Sequence, residues 1–349
     1  MFYIQIIGLL RLSYCGTDLR LAFVGDWGVA SDSGLGTTIA SLKNIPGKEL
    51  DFLVLGGDNF YETGVTSVSD PQFTHTYKKY FDLISPSIPR YVVLGNHDHL
   101  GDALAQVLYG QHDSTWNLDY YFYSKMFRSD SVSICGLFLD TDRIDQAGQL
   151  AFIRATLGSR ECQEADYIIV FGHHPLYSRG GHGDSPSLQS SLGIVFKTYH
   201  VDAYIAGHDH IFDFLVNEDI MHIVSGAGGK KSSSSWFSST TKAQNQLFQS
   251  SDHFGYVMLS VNPKSMQIDF VNSERDLVIF THTVESQKKS RVSHVVTETQ
   301  HAQAETSVSG HRPWDSVHVS ALSFVMFLGW IIGLAAVEPR KFAQIIFSS

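Results

Sequence analysis

At 349 residues, with 43% apolar and 12% aromatic side chains, the chain can bury one large core or two small ones, so one catalytic-sized domain with appendages is the economical reading. Acidic residues outnumber basic ones by 35 to 25, and the basic ones are scattered, which excludes the electrostatic footprint of a nucleic-acid binder. The three cysteines, Cys15, Cys135 and Cys162, form no C-x-x-C pair, which argues against a cysteine-based zinc site and a disulfide scaffold. Whether Cys135 and Cys162 pair in an oxidising lumen is left open. The 17 histidines, several beside Gly, Asp or Asn, are the first sign of metal.

Residues 1–16, apolar from Phe2 to Leu10 apart from Gln5 and Gly8, read as a weak signal peptide, with a buried first strand as the competing account. From 17 to 284, short apolar runs alternate with turn residues. Leu21–Val24, Phe52–Leu55, Tyr91–Leu94, Gly136–Leu139, Tyr167–Phe171, Ala203–Ala206 and His222–Ser225 read as strands, being short, β-branched or aromatic, and closed by Gly or Asp. Gln149–Leu157 and Leu188–Tyr199 carry helical spacing, and Phe73–Phe81 does so more weakly. Tyr120-Tyr121-Phe122-Tyr123 reads as strand and core rather than as a platform for substrate. Gly255–Val261, Met266–Val271 and Leu277–Val284 read as an antiparallel meander. The sum is an α/β (α+β) domain, a layered β-sandwich flanked by helices.

Residues 285–316 are polar and without apolar periodicity, as in a stalk. Val317–Val337 contains no Asp, Glu, Lys or Arg, and as a helix it would span a hydrocarbon core of about 30 Å. A transmembrane helix is the natural reading; a buried core helix and a glycolipid-anchor signal are the alternatives. Arg340 and Lys341 then place a short tail, 338–349, in the cytosol, and the catalytic domain is lumenal or extracellular on a single-pass type I protein.

The polar residues fall at the strand ends. Gly25-Asp26-Trp27-Gly28, Gly57-Asp58-Asn59-Phe60-Tyr61, Gly95-Asn96-His97-Asp98, Gly172-His173-His174-Pro175 and Gly207-His208-Asp209-His210 each follow an apolar run with Gly and then a potential metal ligand. Ligands at the carboxyl ends of adjacent strands converge at one edge of a sheet. Singly, each motif is a turn, a helix cap or a surface histidine; five in fixed order point to a metal centre.

This order resembles the calcineurin-like metallophosphoesterases, and its two departures are informative. Gly28 stands where the general first motif has His, and Tyr61 where others have a carboxylate. That combination resembles the purple acid phosphatases. With Gly95 to Leu100, Gly172 to Pro175, His182-Gly183 and Gly207 to His210, the match over roughly 19–283 is similar to the small tartrate-resistant acid phosphatases. The resemblance implies a calcineurin-like metallophosphoesterase fold and hydrolysis of phosphate monoesters by a metal-bound hydroxide.

It further implies that Asp26, Tyr61 and His210 hold Fe(III), that Asp58 bridges, and that Asn96, His173 and His208 hold a second divalent metal, Fe, Zn or Mn. Hard carboxylate and phenolate oxygens suit Fe(III), and imidazole and amide oxygen suit the softer ion. By the same resemblance His97 contacts phosphate or protonates the leaving oxygen, with Asp98 orienting it, and His182 is a second histidine at the pocket mouth. His182 otherwise reads as a surface-loop residue. His99 and His174 read as supporting or structural, and the glycines of Ser225-Gly226-Ala227-Gly228 as packing. The soluble tartrate-resistant enzymes carry a repressive loop after a Leu-Asp-Thr strand end; here only a short connection separates Asp140 from Gln149.

The overall plan also resembles the membrane-anchored, phosphatase-like anchor proteins of the apicomplexan glideosome. That resemblance implies an alternative role as a scaffold with protein partners at the membrane. Those relatives depart from the metal motifs, whereas each ligand position here holds the expected residue type.

Overall fold

In the computed structural model, residues 18–29, 34–45, 50–233, 235 and 241–288 are described. The expected signal peptide, the transmembrane segment, the tail and nearly all of the stalk lie outside them. Among the described residues no helix is long and apolar enough to cross a membrane. The chain divides into two units, Met1–Val296 and Thr297–Ser349, and every described residue belongs to the first.

The described residues form fourteen strands, in chain order β1 Leu19–Val24, β2 Phe52–Gly56, β3 Arg90–Val93, β4 Trp116–Asn117, β5 Tyr123–Arg128, β6 Ser133–Phe138, β7 Tyr167–Phe171, β8 Ala203–Ala206, β9 Phe212–Asn217, β10 Ile220–Ser225, β11 Asn245–Ser250, β12 Gly255–Val261, β13 Ser265–Asn272 and β14 Leu277–Glu285. They form two seven-stranded sheets, in the orders β14-β13-β12-β1-β2-β3-β4 and β11-β9-β10-β8-β7-β6-β5. Within them β1, β2, β3 and β4 are mutually parallel, as are β6, β7, β8 and β10. Every residue of β2, β6, β7, β8 and β10 is buried. Strands covered on both faces need apolar side chains on both, which is why they read in sequence as unbroken runs instead of alternations.

The inner faces meet through aromatic rings. Phe52 of β2 stacks on Phe127 of β5 at 3.8 Å, Phe23 of β1 lies 6.2 Å from Phe171 of β7, and Tyr91 of β3 lies 5.7 Å from Phe138 of β6. A second core forms outside the second sheet, where Ile153 and Leu157 of the helix Gln149–Leu157 pack with Leu188, Leu192, Val195 and Phe196. On the first sheet, Leu35, Ile39 and Leu42 of the helix Gly34–Lys43 are buried, and Trp27, Tyr77 and Phe81 pack edge to face or tilted.

Two of the three expected helices are interrupted. Phe73–Lys78 is a wide π turn running into Lys79–Phe81, and the expected helix at Leu188–Tyr199 is Pro186–Leu188, a π turn at Gln189–Gly193, then Ile194–Thr198. In the second case the Ser190 hydroxyl bonds back to the Pro186 carbonyl at 2.8 Å, and Gly193 adds no side chain to hold a tight turn. The aromatic run at 120–123 is only partly core: Tyr120 is 48% exposed, and the strand begins at the buried Tyr123. Cys135 of β6 and Cys162 of the short helix Arg160–Gln163 are joined in a disulfide across a Cα separation of 5.2 Å. For a loop of this length the cross-link stabilises the fold by roughly 3–4 kcal/mol.

Candidate metal centre

Each strand-end motif leaves its strand at a carboxyl end, but the ends belong to both sheets. Asp26, Asp58 with Tyr61, and Asn96 follow β1, β2 and β3 of the first sheet; His173 and His208 with His210 follow β7 and β8 of the second. The expected single sheet edge is therefore replaced by a seam between two, because the sandwich sets the carboxyl ends of both parallel blocks side by side. Asp26, Asp58 and His208 have φ of 55°, 51° and 68°, a left-handed conformation costing of order 1 kcal/mol or more each. Three such residues at one place mark backbone strained to aim side chains inward. The glycines make room: a Cβ on Gly95 would lie 2.2 Å from Asp58 Oδ1, and one on Gly207 would lie 2.4 Å from Asp26 Oδ2.

The contacts sort the donors into two groups. The Tyr61 hydroxyl donates to Asp26 Oδ1 at 3.0 Å and lies 3.2 Å from His210 Nε2. Asn96 Oδ1 lies 3.2 Å from His173 Nε2 and 3.1 Å from His208 Nδ1. Asp58 faces both groups, with Oδ1 3.3 Å from His173 Nε2 and its carboxylate acting electrostatically on Tyr61. Second contacts hold the donors: His173 Nδ1 faces the Gly56 carbonyl at 2.9 Å, turning Nε2 inward, and the His208 N–H donates to Asp26 Oδ2 at 2.8 Å. Donor atoms of Asp26, Asp58 and His173 lie within 4.8 Å of one another, as do those of His173, His174 and His208.

The field of this cluster calls for a cation. Burial opposes a charge on His173, yet the Asp58 and Asp26 carboxylates override it and raise its pKa to about 10. Burial likewise opposes ionisation of Asp58, and the charge and hydrogen bond of His173, with those from Tyr61 and the His97 N–H, hold it well below the usual carboxylate range. Tyr61 is pushed far above its ordinary value, first by burial and then by Asp26 and Asp58. Burial and the neighbouring His173 hold His208 well below the usual range and His174 down to about 3, so both rings are neutral and free to donate. Two carboxylates, a phenol, an amide oxygen and imidazoles fit the hard and softer donor sets of an Fe(III) and divalent metal pair.

His97 stands at the rim. Its Nδ1 lies 2.6 Å from the Glu62 carbonyl and its Nε2 4.0 Å from Asp58 Oδ2, so Nδ1 carries the fixed proton and Nε2 turns to the site. Asp98 does not orient it. Wholly buried, Asp98 accepts from the N–H groups of Gly95, Asn59 and Phe60 and from the side-chain amides of Asn59 and Gln106, tying the second motif to the third. Burial, then the Asp58 charge, raise its pKa to about 6. The sequence placed Asp98 beside His97; the helical turn at 97–100 sends the two side chains apart.

The His182 ring lies 4.2 Å from that of His208, and the His182 backbone N–H donates to the buried Asp209, which also accepts from the Ser178 hydroxyl. Residues the sequence reading passed over hold the frame: Thr141 Oγ1 accepts from the His173 and His174 N–H groups, and Asn59 Oδ1 accepts from the Trp27 indole at 2.9 Å. Asn59 and Asp209 were visible as members of their motifs, and Thr141 as the residue closing a strand. His99 pairs with the buried Asp140 at 3.0 Å, and His174 Nδ1 with Thr141 Oγ1 at 3.0 Å.

Residues 19–212 match the Calcineurin-like phosphoesterase family, and residues 220–280 the Iron/zinc purple acid phosphatase-like protein C family. Over 309 residues the chain is 32% identical to the tartrate-resistant acid phosphatase type 5 of Mus musculus, covering 77% of this chain and 92% of that protein. It is similar to the solved structure of GAP50, described as the anchor in the inner membrane complex of Plasmodium, with a TM-score of 0.70 and 26% identity over 80% of this chain and 95% of that one. It shares its fold with the purple acid phosphatase PPD1 of yellow lupin (TM-score 0.58, 18% identity, 79% of this chain and 55% of that one).

Proposed function

Because this chain belongs to the calcineurin-like phosphoesterases, in their purple acid phosphatase branch, and is a phosphatase, we propose that it hydrolyses phosphate monoesters at a centre of Fe(III) and a second divalent metal, Fe, Zn or Mn. The observation that carries the reading is the convergence of Asp26, Asp58, Tyr61, Asn96, His173, His208 and His210 from two sheets, in two groups that share Asp58. Two cations held there supply Lewis acidity, activating water and polarising the ester.

The remaining work falls to the chain's own residues. Asp26, Tyr61 and His210 would hold one ion and Asn96, His173 and His208 the other, with Asp58 available to both. Burial of Asp58 and His173 keeps bulk water from the floor, so the ester's phosphate enters from the rim. His97 meets it there. With Nδ1 committed to the Glu62 carbonyl, Nε2 is the atom that binds the phosphate oxygen or hands a proton to the leaving oxygen. His182, against His208, completes the mouth.

The catalytic domain, 17–284, is proposed to face a lumen or the cell exterior, anchored by Val317–Val337 as a single-pass type I protein. The Cys135–Cys162 disulfide supports an oxidising compartment. A second reading, a phosphatase-like membrane anchor, is favoured by the likeness to GAP50.

One experiment separates the two: metal analysis, visible absorption and an aryl phosphate assay at acidic pH on the detergent-solubilised chain. The enzyme reading expects iron with a second divalent metal, turnover, and a visible band from Tyr61 that Tyr61→Phe abolishes without unfolding the chain. A metal-free, inactive protein would leave the anchor reading standing alone.

A further inference from the structure

After Ser225 the chain runs Gly226-Ala227-Gly228-Gly229-Lys230-Lys231, and the backbone of this loop is fastened to the first ligand motif. Gly25 N donates to the Ser225 carbonyl at 3.1 Å, Gly228 N to that of Gly25 at 3.0 Å, and Gly229 N to that of Asp26 at 3.1 Å. A Cβ on Gly229 would lie 2.6 Å from the Trp27 carbonyl. Lys230 therefore starts from a point fixed relative to Asp26.

From there its side chain crosses Tyr61. Nζ lies 3.9 Å from the centre of the Tyr61 ring and 3.6 Å from Glu62 Oε1. Glu62 is also the residue beside His97, with Oε2 3.9 Å from His97 Nδ1. The Lys230–Glu62 pair is a weak one, since the Glu62 side chain is 70% exposed and solvated pairs of this kind contribute about 0–1 kcal/mol. An arriving anion can replace Glu62 at little cost. Lys231 turns elsewhere: its Nζ pairs with Glu274 Oε1 at 2.7 Å and covers the Phe254 ring.

An ester whose phosphate sits on the buried donors must project its leaving group outward, toward the rim where His97 and Lys230 both border Tyr61 and Glu62. Resting on the phosphatase reading, we propose that Lys230 is a specificity-determining residue that binds a second anionic group, carboxylate or phosphate, carried on the leaving-group side of the substrate. The ammonium exchanges its contact with Glu62 for that group. Substrates with such a charge are thereby favoured over neutral esters, and added salt weakens the preference.

The test uses the metal-replete full chain and two probes, phenyl phosphate and carboxyphenyl phosphate. For each protein the ratio of kcat/KM for the carboxylated ester to that for the plain one is taken, so intrinsic leaving-group reactivity cancels between variants. Lys230→Gln should lower this ratio about ten-fold, mainly through KM, the effect expected for one charge-assisted contact. Lys230→Arg should keep the ratio, Glu62→Gln should raise it by removing the competing carboxylate, and Lys231→Gln should leave it as in the wild type. An unchanged ratio in Lys230→Gln overturns the proposal, as does an equal fall for both esters, which would mean that Lys230 only supports Tyr61. If the wild-type chain hydrolyses neither ester, the phosphatase reading fails and the proposal falls with it; hydrolysis of both with no selectivity change sinks the proposal alone.

Discussion

His97 and Asp98 are neighbours in sequence with opposite duties, and each can be removed separately. His97 is held at the rim by the Glu62 carbonyl and meets the donor residues at Asp58 and at the Tyr61 ring without being a donor itself, so His97→Ala should leave metal content intact while lowering kcat by roughly 10²-fold or more if it moves a proton. Wild-type turnover across the pH range in that variant would remove His97 from the chemistry. Asp98→Ala should do something different. It strands the buried N–H groups of Gly95, Asn59 and Phe60, at a cost of roughly 3–5 kcal/mol. In chelator-treated protein, where metal loss cannot contribute, the thermal midpoint should fall by roughly 10 °C. A change of a degree or less would mean that the second and third motifs are held by other means.

Among the elements, the connection from Asp140 to the helix Gln149–Leu157 bears on regulation. Gln149 fastens it at both ends: Oε1 accepts from the Asp140 N–H at 2.9 Å, and Nε2 donates to the carbonyls of Asp140 and Arg143 at 3.1 and 2.9 Å. A loop so short and so tied is an ordinary connection rather than a lid. The intact chain should therefore be active without nicking. Limited proteolysis with activity and fragment masses followed together should show no rise in activity attached to a cut between Asp140 and Gln149; a large rise there would contradict this account.

At the scale of the molecule, the donors come from two sheets, so bound metal is a tie between them. Ions that bind the native state alone add roughly 4 kcal/mol at a thousand-fold excess over Kd. For a domain of this size that is roughly 10 °C in the unfolding midpoint. Chelation should lower the midpoint of the wild-type chain by about that amount, and the gap should shrink to a few degrees in Asp58→Asn, which weakens the residue touching both donor groups. Equal midpoints with and without metal in the wild type would show that the sheets are held wholly by their apolar faces.

Much of this protein is dictated by its sequence alone. Strands buried on both faces must be apolar throughout, so β2, β7 and β8 stood out as unbroken runs, and the donors stood out because each had to follow its strand by way of a glycine. Other elements carried no such local mark. The helix Gly34–Lys43 is rich in Gly and Thr and is helical because Leu35, Ile39 and Leu42 find the sheet. β11, Asn-Gln-Leu-Phe-Gln-Ser, has few strand-forming residues and extends because β9 offers it partners. Tertiary structure alone decided that two sheets share the centre, that Asp98 grips backbone instead of His97, that Cys135 meets Cys162, and that Lys230 crosses Tyr61. These are contacts between residues far apart in the chain, or choices of direction for a side chain, and a local pattern of residue types holds no information about either.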